Sequence, residues 1–128
     1  MQVQMTQPDI EIYIKDINIE IIEQWLCEIF GSVSLPKTNS KPINIKVGSD
    51  PELQLMITPN AAGKAFTSVW FQSDQTPWQS DEACAQAFLA FHDGEVRCSA
   101  TSWQEEEEES SEQWLCMTRN EKRLIRWG

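Results

Sequence analysis

Histidine is almost missing from this chain: His92 is the only one in 128 residues. That excludes sites built from several imidazoles and leaves Asp, Glu and Cys as the other metal-ligating types. Glycine is scarce as well. None of the five falls in a G-x-S-x-G, G-x-x-x-x-G-K-[ST] or G-x-G-x-x-G pattern, so the sequence shows neither a nucleophile elbow nor a phosphate cradle, and no cofactor is expected. No run of eighteen apolar residues occurs, which argues against a spanning helix. Met1 is followed by Gln2, Val3, Gln4, Met5, Thr6 and Gln7, without the cationic start or apolar centre of a secretory signal, so a cytoplasmic location is expected. Positive charge is in short supply too, with 10 Lys and Arg against 20 Asp and Glu and a net charge of −10. Such a field repels phosphates and anionic lipid, so neither nucleic acid nor a membrane is the expected partner.

The four cysteines, Cys27, Cys84, Cys98 and Cys116, form no C-x-x-C pair and fall in separate predicted elements. They read as reduced, buried small hydrophobes rather than a metal site or bridge framework. A Cys–His nucleophilic pair needs hydrogen-bond contact. Cys84 and His92 are eight residues apart on a predicted helix, about 12 Å at the helical rise. Nothing in the sequence directs the other thiols to His92, so no catalytic residue and no metal site is assigned, and an enzyme is the less favoured reading.

What is present is enough apolar material, 41% with six Trp, for one continuous core, and residues 1–128 are expected to form a single domain. Ile10, Ile12 and Ile14 alternate with Glu11, Tyr13 and Lys15, the period of a half-buried strand. The period then changes: Ile22, Trp25, Leu26, Ile29 and Phe30 line one helical face, which Gly31 stops. Residues 32–42, with prolines, serines and lysines, read as a loop. Ile43, Ile45 and Val47, then Leu53, Leu55 and Ile57, predict a hairpin. A turn over residues 59–63 precedes a fourth strand over 66–73. Trp25 and Trp70 both fit core positions in these patterns. A second helix starts near Thr76 and Pro77 or at Ser80, carries Cys84, Ala87, Phe88 and Phe91 on one face, and ends around Asp93 and Gly94. Val96, Cys98 and Ala100 mark a fifth strand, and residues 114–118 and 123–127 a closing hairpin. The order β-α-β-β-β-α-β-β-β predicts an α+β fold: a largely antiparallel sheet of six or seven strands with two helices on one face.

Two features exceed what a core needs. Charge is uneven: residues 1–64 carry 8 acids and 5 bases, net −3, and residues 65–128 carry 12 acids and 5 bases, net −7. Most of that excess is Glu105, Glu106, Glu107, Glu108, Glu109 and Glu112, in an acidic loop over about 104–113. Adjacent like charges repel and cannot pack on an apolar core. The run is therefore either a solvated, solubilising loop or an electrostatic docking strip for a basic protein surface. Weak cation capture is a third chemistry, although the spaced ligands and glycine of a calcium loop are missing. Arg119, Lys122, Arg123 and Arg126 are near enough in sequence to neutralise part of the run. The second feature is the aromatics: Trp78, Trp103 and Trp114 flank loops, as core-rim residues, as anchors for a protein partner, or as stacking platforms for sugars. Trp103 and Trp114 bracket the acidic run.

The helix start WQSDEACA from Trp78, the strand EVRCSA from Glu95, Trp103 and the closing IRW from Ile125 resemble small bacterial proteins classed as domains of unknown function. That resemblance covers residues 78–127 and implies a compact bacterial α+β domain; it transfers no catalytic residue, and the glutamate run departs from it. The leading expectation is a non-enzymatic interaction module, with an inhibitor or immunity-like role conceivable, docking a basic partner through Trp103, Glu105, Glu106, Glu107, Glu108, Glu109, Glu112 and Trp114. The alternative is a small-ligand or sugar-binding domain using exposed Trp, and the third a small enzyme with an unidentified site. Oligomeric state and strand order are not readable.

Overall fold

A computed structural model of the chain describes residues 9–31, 33–35, 42–48, 52–62, 65–73, 76–78, 80–99 and 113–126. Its elements run β1 (Ile10–Lys15), α1 (Ile19–Phe30), β2 (Ile43–Val47), β3 (Leu53–Ala62), β4 (Phe66–Phe71), α2 (Asp81–Phe91), β5 (Val96–Ser99), β6 (Gln113–Met117) and β7 (Lys122–Arg126). All seven strands join one sheet in the order β2-β3-β4-β1-β5-β6-β7, antiparallel throughout. The expected α+β class and helix–strand order are thus observed.

Period-two alternation decides which side chains meet the helices. Ile10, Ile12 and Ile14 of β1 share a face with Val69 and Phe71 of β4, Leu55 and Ile57 of β3, Val96 and Cys98 of β5, and Leu115 and Met117 of β6, all buried. Onto that face α1 places Ile22, Trp25 and Leu26, and α2 places Cys84, Ala85, Phe88 and Leu89. The Trp25 ring is the hub. It meets Phe88 edge-on at 5.1 Å and Phe71 at 6.4 Å, and stacks on Trp78 at 5.7 Å. Trp25 thus joins both helices to the sheet.

The chain enters α1 through Asp16 in the left-handed region, φ 49°, which a short polar side chain tolerates. It leaves at Gly31, φ 94°, whose N–H bonds to the Cys27 carbonyl. Of the two predicted starts for α2, Ser80 is the cap: its Oγ accepts from the Ala83 N–H at 3.1 Å. Ser80→Ala is expected to lower stability by about 1 kcal/mol, read from the urea unfolding midpoint. His92 caps the other end, its N–H donating to the Phe88 carbonyl at 2.9 Å.

Two readings change. The turn expected over residues 59–63 is strand as far as Ala62. β3 carries a bulge between Thr58 and Ala62, and Pro59 falls there, past the last residue paired with β2, where a missing N–H breaks no ladder. Trp70 is not in the core. Val69 and Phe71 take the inward positions, so alternation turns Trp70 to the face opposite α1 and α2, half-buried.

The ladder between β1 and β5 is short, with pairs at Tyr13–Arg97 and Ile14–Val96, extended by the Lys15 N–H to the Glu95 carbonyl at 3.0 Å. The Glu11 N–H points to the same side as that of Lys15. It donates to Asp81 Oδ1 at 3.2 Å, so the first residue of α2 satisfies a backbone group that β5 leaves. That contact pins the start of α2 to the N-terminal end of β1.

Candidate interaction surface

With both helices on one side, the opposite face of the sheet carries the alternate residues of each strand: Glu11, Tyr13 and Lys15 of β1, Ser68 and Trp70 of β4, Arg97 of β5, and Trp114 and Cys116 of β6. It divides into two chemically different ends.

At one end the cations are paired. Arg97 directs Nε and Nη2 onto Glu95 Oε2 at 2.9 and 2.8 Å, with Lys15 at 4.0 Å from the same carboxylate. The guanidinium also sits 4.7 Å over the Phe66 ring. Burial works to raise the Glu95 pKa, but Arg97, the Cys116 thiol donating at 3.2 Å, and Lys15 together hold it below its ordinary value.

At the other end, around the start of β1, carboxylates and aromatics meet. The Trp70 Nε1–H donates to Asp9 Oδ2 at 2.7 Å, and the Ser68 hydroxyl donates to Glu11 Oε2 at 2.9 Å. Trp114 extends across β5 to meet the Tyr13 ring edge-on at 5.5 Å. Among the described residues no Lys or Arg forms an ion pair with Asp9, Glu11 or Asp81. The local potential is read by two groups. Burial and then neighbouring Glu11 push the Tyr13 hydroxyl up to about 12. Burial, with the charges of Glu11 and Asp9, raises Asp81 to about 6 against the opposing Glu11 N–H.

Of the residues expected to form the docking strip, Trp114 is in this patch. Trp103, Glu105, Glu106, Glu107, Glu108, Glu109 and Glu112 lie outside the described residues. Their connection nonetheless starts after Ser99 and returns at Gln113, the two strand ends at the same end of the sheet as Asp9 and Glu11. Of the cations considered as neutralising partners, Arg119, Lys122 and Arg123 have described partners, and the Arg126 side chain lies outside what the structure describes. Arg119 donates to the Leu89 carbonyl at 2.7 Å and to the Ala90 carbonyl at 3.4 Å, at the C-terminal end of α2; Lys122 pairs with Glu82, and Arg123 with Glu121 at 2.9 Å. Sequence reasoning missed Asp9, Glu11, Tyr13 and Trp70. The outward phase of β1 was the available signal for Glu11 and Tyr13, but it carries no sign that aromatics from β4 and β6 come beside it.

Other chemistry finds less support. Trp78, offered as a ligand platform, packs against Trp25, Phe30 and Phe71. Burial pushes the Cys98 thiol to about 12 and the Cys84 and Cys116 thiols upward, which disfavours thiolate. His92 packs on the Phe88 ring. Two open clefts lie on the helix side. One of about 520 Å³ is floored by Leu89 and Met117, and one of about 690 Å³ is flanked by Glu23, Cys27 and Phe91; neither joins a thiol to an imidazole. Among the described residues no group of three His, Cys, Asp or Glu is arranged to hold a metal ion, and no helix is long and apolar enough to cross a membrane. No family model matches the chain, and no curated protein and no solved structure matches it either.

Proposed function

We propose that the chain is a non-enzymatic, cytoplasmic interaction module that docks a basic protein partner on the face of its sheet opposite α1 and α2, in a domain of the bacterial kind that residues 78–127 resemble. The observation that carries this reading is the patch of Asp9, Glu11, Tyr13, Trp70 and Trp114, in which half-buried aromatics and carboxylates adjoin and no described cation pairs with the carboxylates. Amphipathic aromatics supply contact area at low entropic cost, and a one-signed field raises encounter rates with an oppositely charged surface. The glutamate run tethered to the same end of the sheet adds to that field.

Binding of this kind weakens as salt rises. The intact chain is expected to retain a basic protein from cell lysate at low salt and release it at high salt. Replacement of Glu105 to Glu109 by serine should weaken retention mainly through a slower on-rate, and Trp114→Leu through a faster off-rate. If all three chains retain the same proteins to the same salt concentration, docking on this face is wrong.

A further inference from the structure

We infer that the patch selects arginine over lysine in its partner, seating a guanidinium on Glu11 between the indole of Trp70 and the Tyr13–Trp114 pair; this rests on the docking reading above.

The geometry supplies each contact that a guanidinium uses. Trp70 is the cross-strand neighbour of Glu11 on β4. On the other side, Trp114 reaches Tyr13, the next residue along the same face of β1, at 5.5 Å. Glu11 therefore has aromatic residues at its neighbouring positions on this face, with backbone spacings of about 5–7 Å for opposite and alternate residues of a sheet. A carboxylate offers about four acceptor positions. Glu11 uses one for the Ser68 hydroxyl, and Asp9 uses one for Trp70, which leaves capacity for a forked donor. Guanidinium is planar, weakly hydrated, able to stack on an aromatic face and able to pair with a carboxylate through two parallel N–H bonds. Ammonium is a compact, strongly hydrated point charge that does neither as well.

The same face already holds one guanidinium in this manner. Arg97 lies 4.7 Å over Phe66 while two of its nitrogens contact Glu95. The Asp9–Glu11 end repeats the ingredients, carboxylate beside aromatic, without a cation from the described residues. Nor do the sequence segments adjoining this end supply one: residues 1–8 and 100–112 contain no Lys or Arg. A guanidinium supplied by another molecule would complete the arrangement, and the net charge of −10 favours its approach.

The test titrates the full chain with hexaarginine and hexalysine peptides at equal ionic strength, following the indole N–H resonances of Trp70 and Trp114. Hexaarginine is expected to bind at least fivefold more tightly and to shift both resonances. Glu11→Gln should bring the two peptides within twofold of each other, and Trp70→Phe should reduce the preference. Glu28→Gln, which removes the same charge from the exposed side of α1, should leave it intact, and unchanged thermal unfolding shows that each variant is folded. Equal binding of both peptides to the intact chain, or a preference that survives Glu11→Gln, overturns arginine selection and leaves salt-sensitive docking standing. Failure of both peptides to bind overturns the docking reading as well.

Discussion

Trp25→Ala is expected to remove about 3–5 kcal/mol of folding stability, a large part of what a domain of this size has. The ring is 2% exposed and is held by Phe71 from the sheet, Phe88 from α2 and Trp78 from the segment before α2. Truncation therefore loses transfer energy and also opens a void at a side chain that ties both helices to the sheet. The surrounding rings are themselves packed against Phe30 and Phe71, so collapse into the void is restricted. Urea unfolding followed by far-UV circular dichroism gives the number. Trp25→Phe, which keeps an aromatic at the hub, should cost less than half as much. A loss below 1 kcal/mol for the alanine variant would show that the hub does not organise the core.

Asp81→Asn should act in the opposite direction and stabilise the protein at neutral pH. Burial and the charges of Glu11 and Asp9 raise the folded-state pKa of Asp81 to about 6 from an ordinary 3.8. A carboxyl that is easier to protonate when folded costs stability while ionised. The cost is complete above pH 6 and is relieved as pH falls from about 6 toward 4. The displacement corresponds to roughly 3 kcal/mol; solvent screening of this partly exposed group brings the expected effect to on the order of 1–2 kcal/mol. Asparagine keeps an oxygen for the Glu11 N–H and loses only the favourable charge at the start of α2, worth about 0.3–1 kcal/mol, where Glu82 still stands. The expected result is a higher urea midpoint for Asp81→Asn at pH 7.5 and a gap that narrows as pH falls from about 6 and closes below the ordinary 3.8. Glu95 titrates in the other sense. Held below its ordinary 4.5 by Arg97, Cys116 and Lys15, it contributes stability that is lost only as pH falls below that range, so the two windows separate. A variant less stable than the parent at pH 7.5 would mean that the charge of Asp81 is favourable where it sits.

The elements were legible because their periods are clean. Alternating isoleucines gave β1, the i, i+3, i+4 stripe through Trp25 gave α1, and Gly31 gave its end. The failures have physical causes. A Pro, Asn, Ala and Gly cluster reads as a turn, yet residues 59–62 continue as a bulged strand because β3 outlasts its β2 partner there. Trp70 looked like core because a large aromatic in an apolar run counts as buried, whereas register assigns it to the other face. Of the proposed docking surface, the local part was visible: the acidic run and Trp114 adjoin in the sequence. The remainder joins Asp9, Trp70 and Trp114 from the beginning, middle and later part of the sequence, and only the strand order, which no local pattern encodes, puts them side by side.

That strand order also bears on how the protein is made. β1 precedes the other strands of the sheet in the chain, but it occupies the middle of the sheet, with β4 on one side and β5 on the other. Its pairings span more than fifty residues in one direction and more than eighty in the other. Ordered segments that close early are hairpins, β2–β3–β4 on one side and β6–β7 on the other. High sequence separation between contacts slows folding to the millisecond-to-second range and prolongs the exposure of apolar strands. The alternating isoleucines of β1 therefore find no strand partner until β4 has been made, more than fifty residues later, and that interval is when a chaperone would shield them.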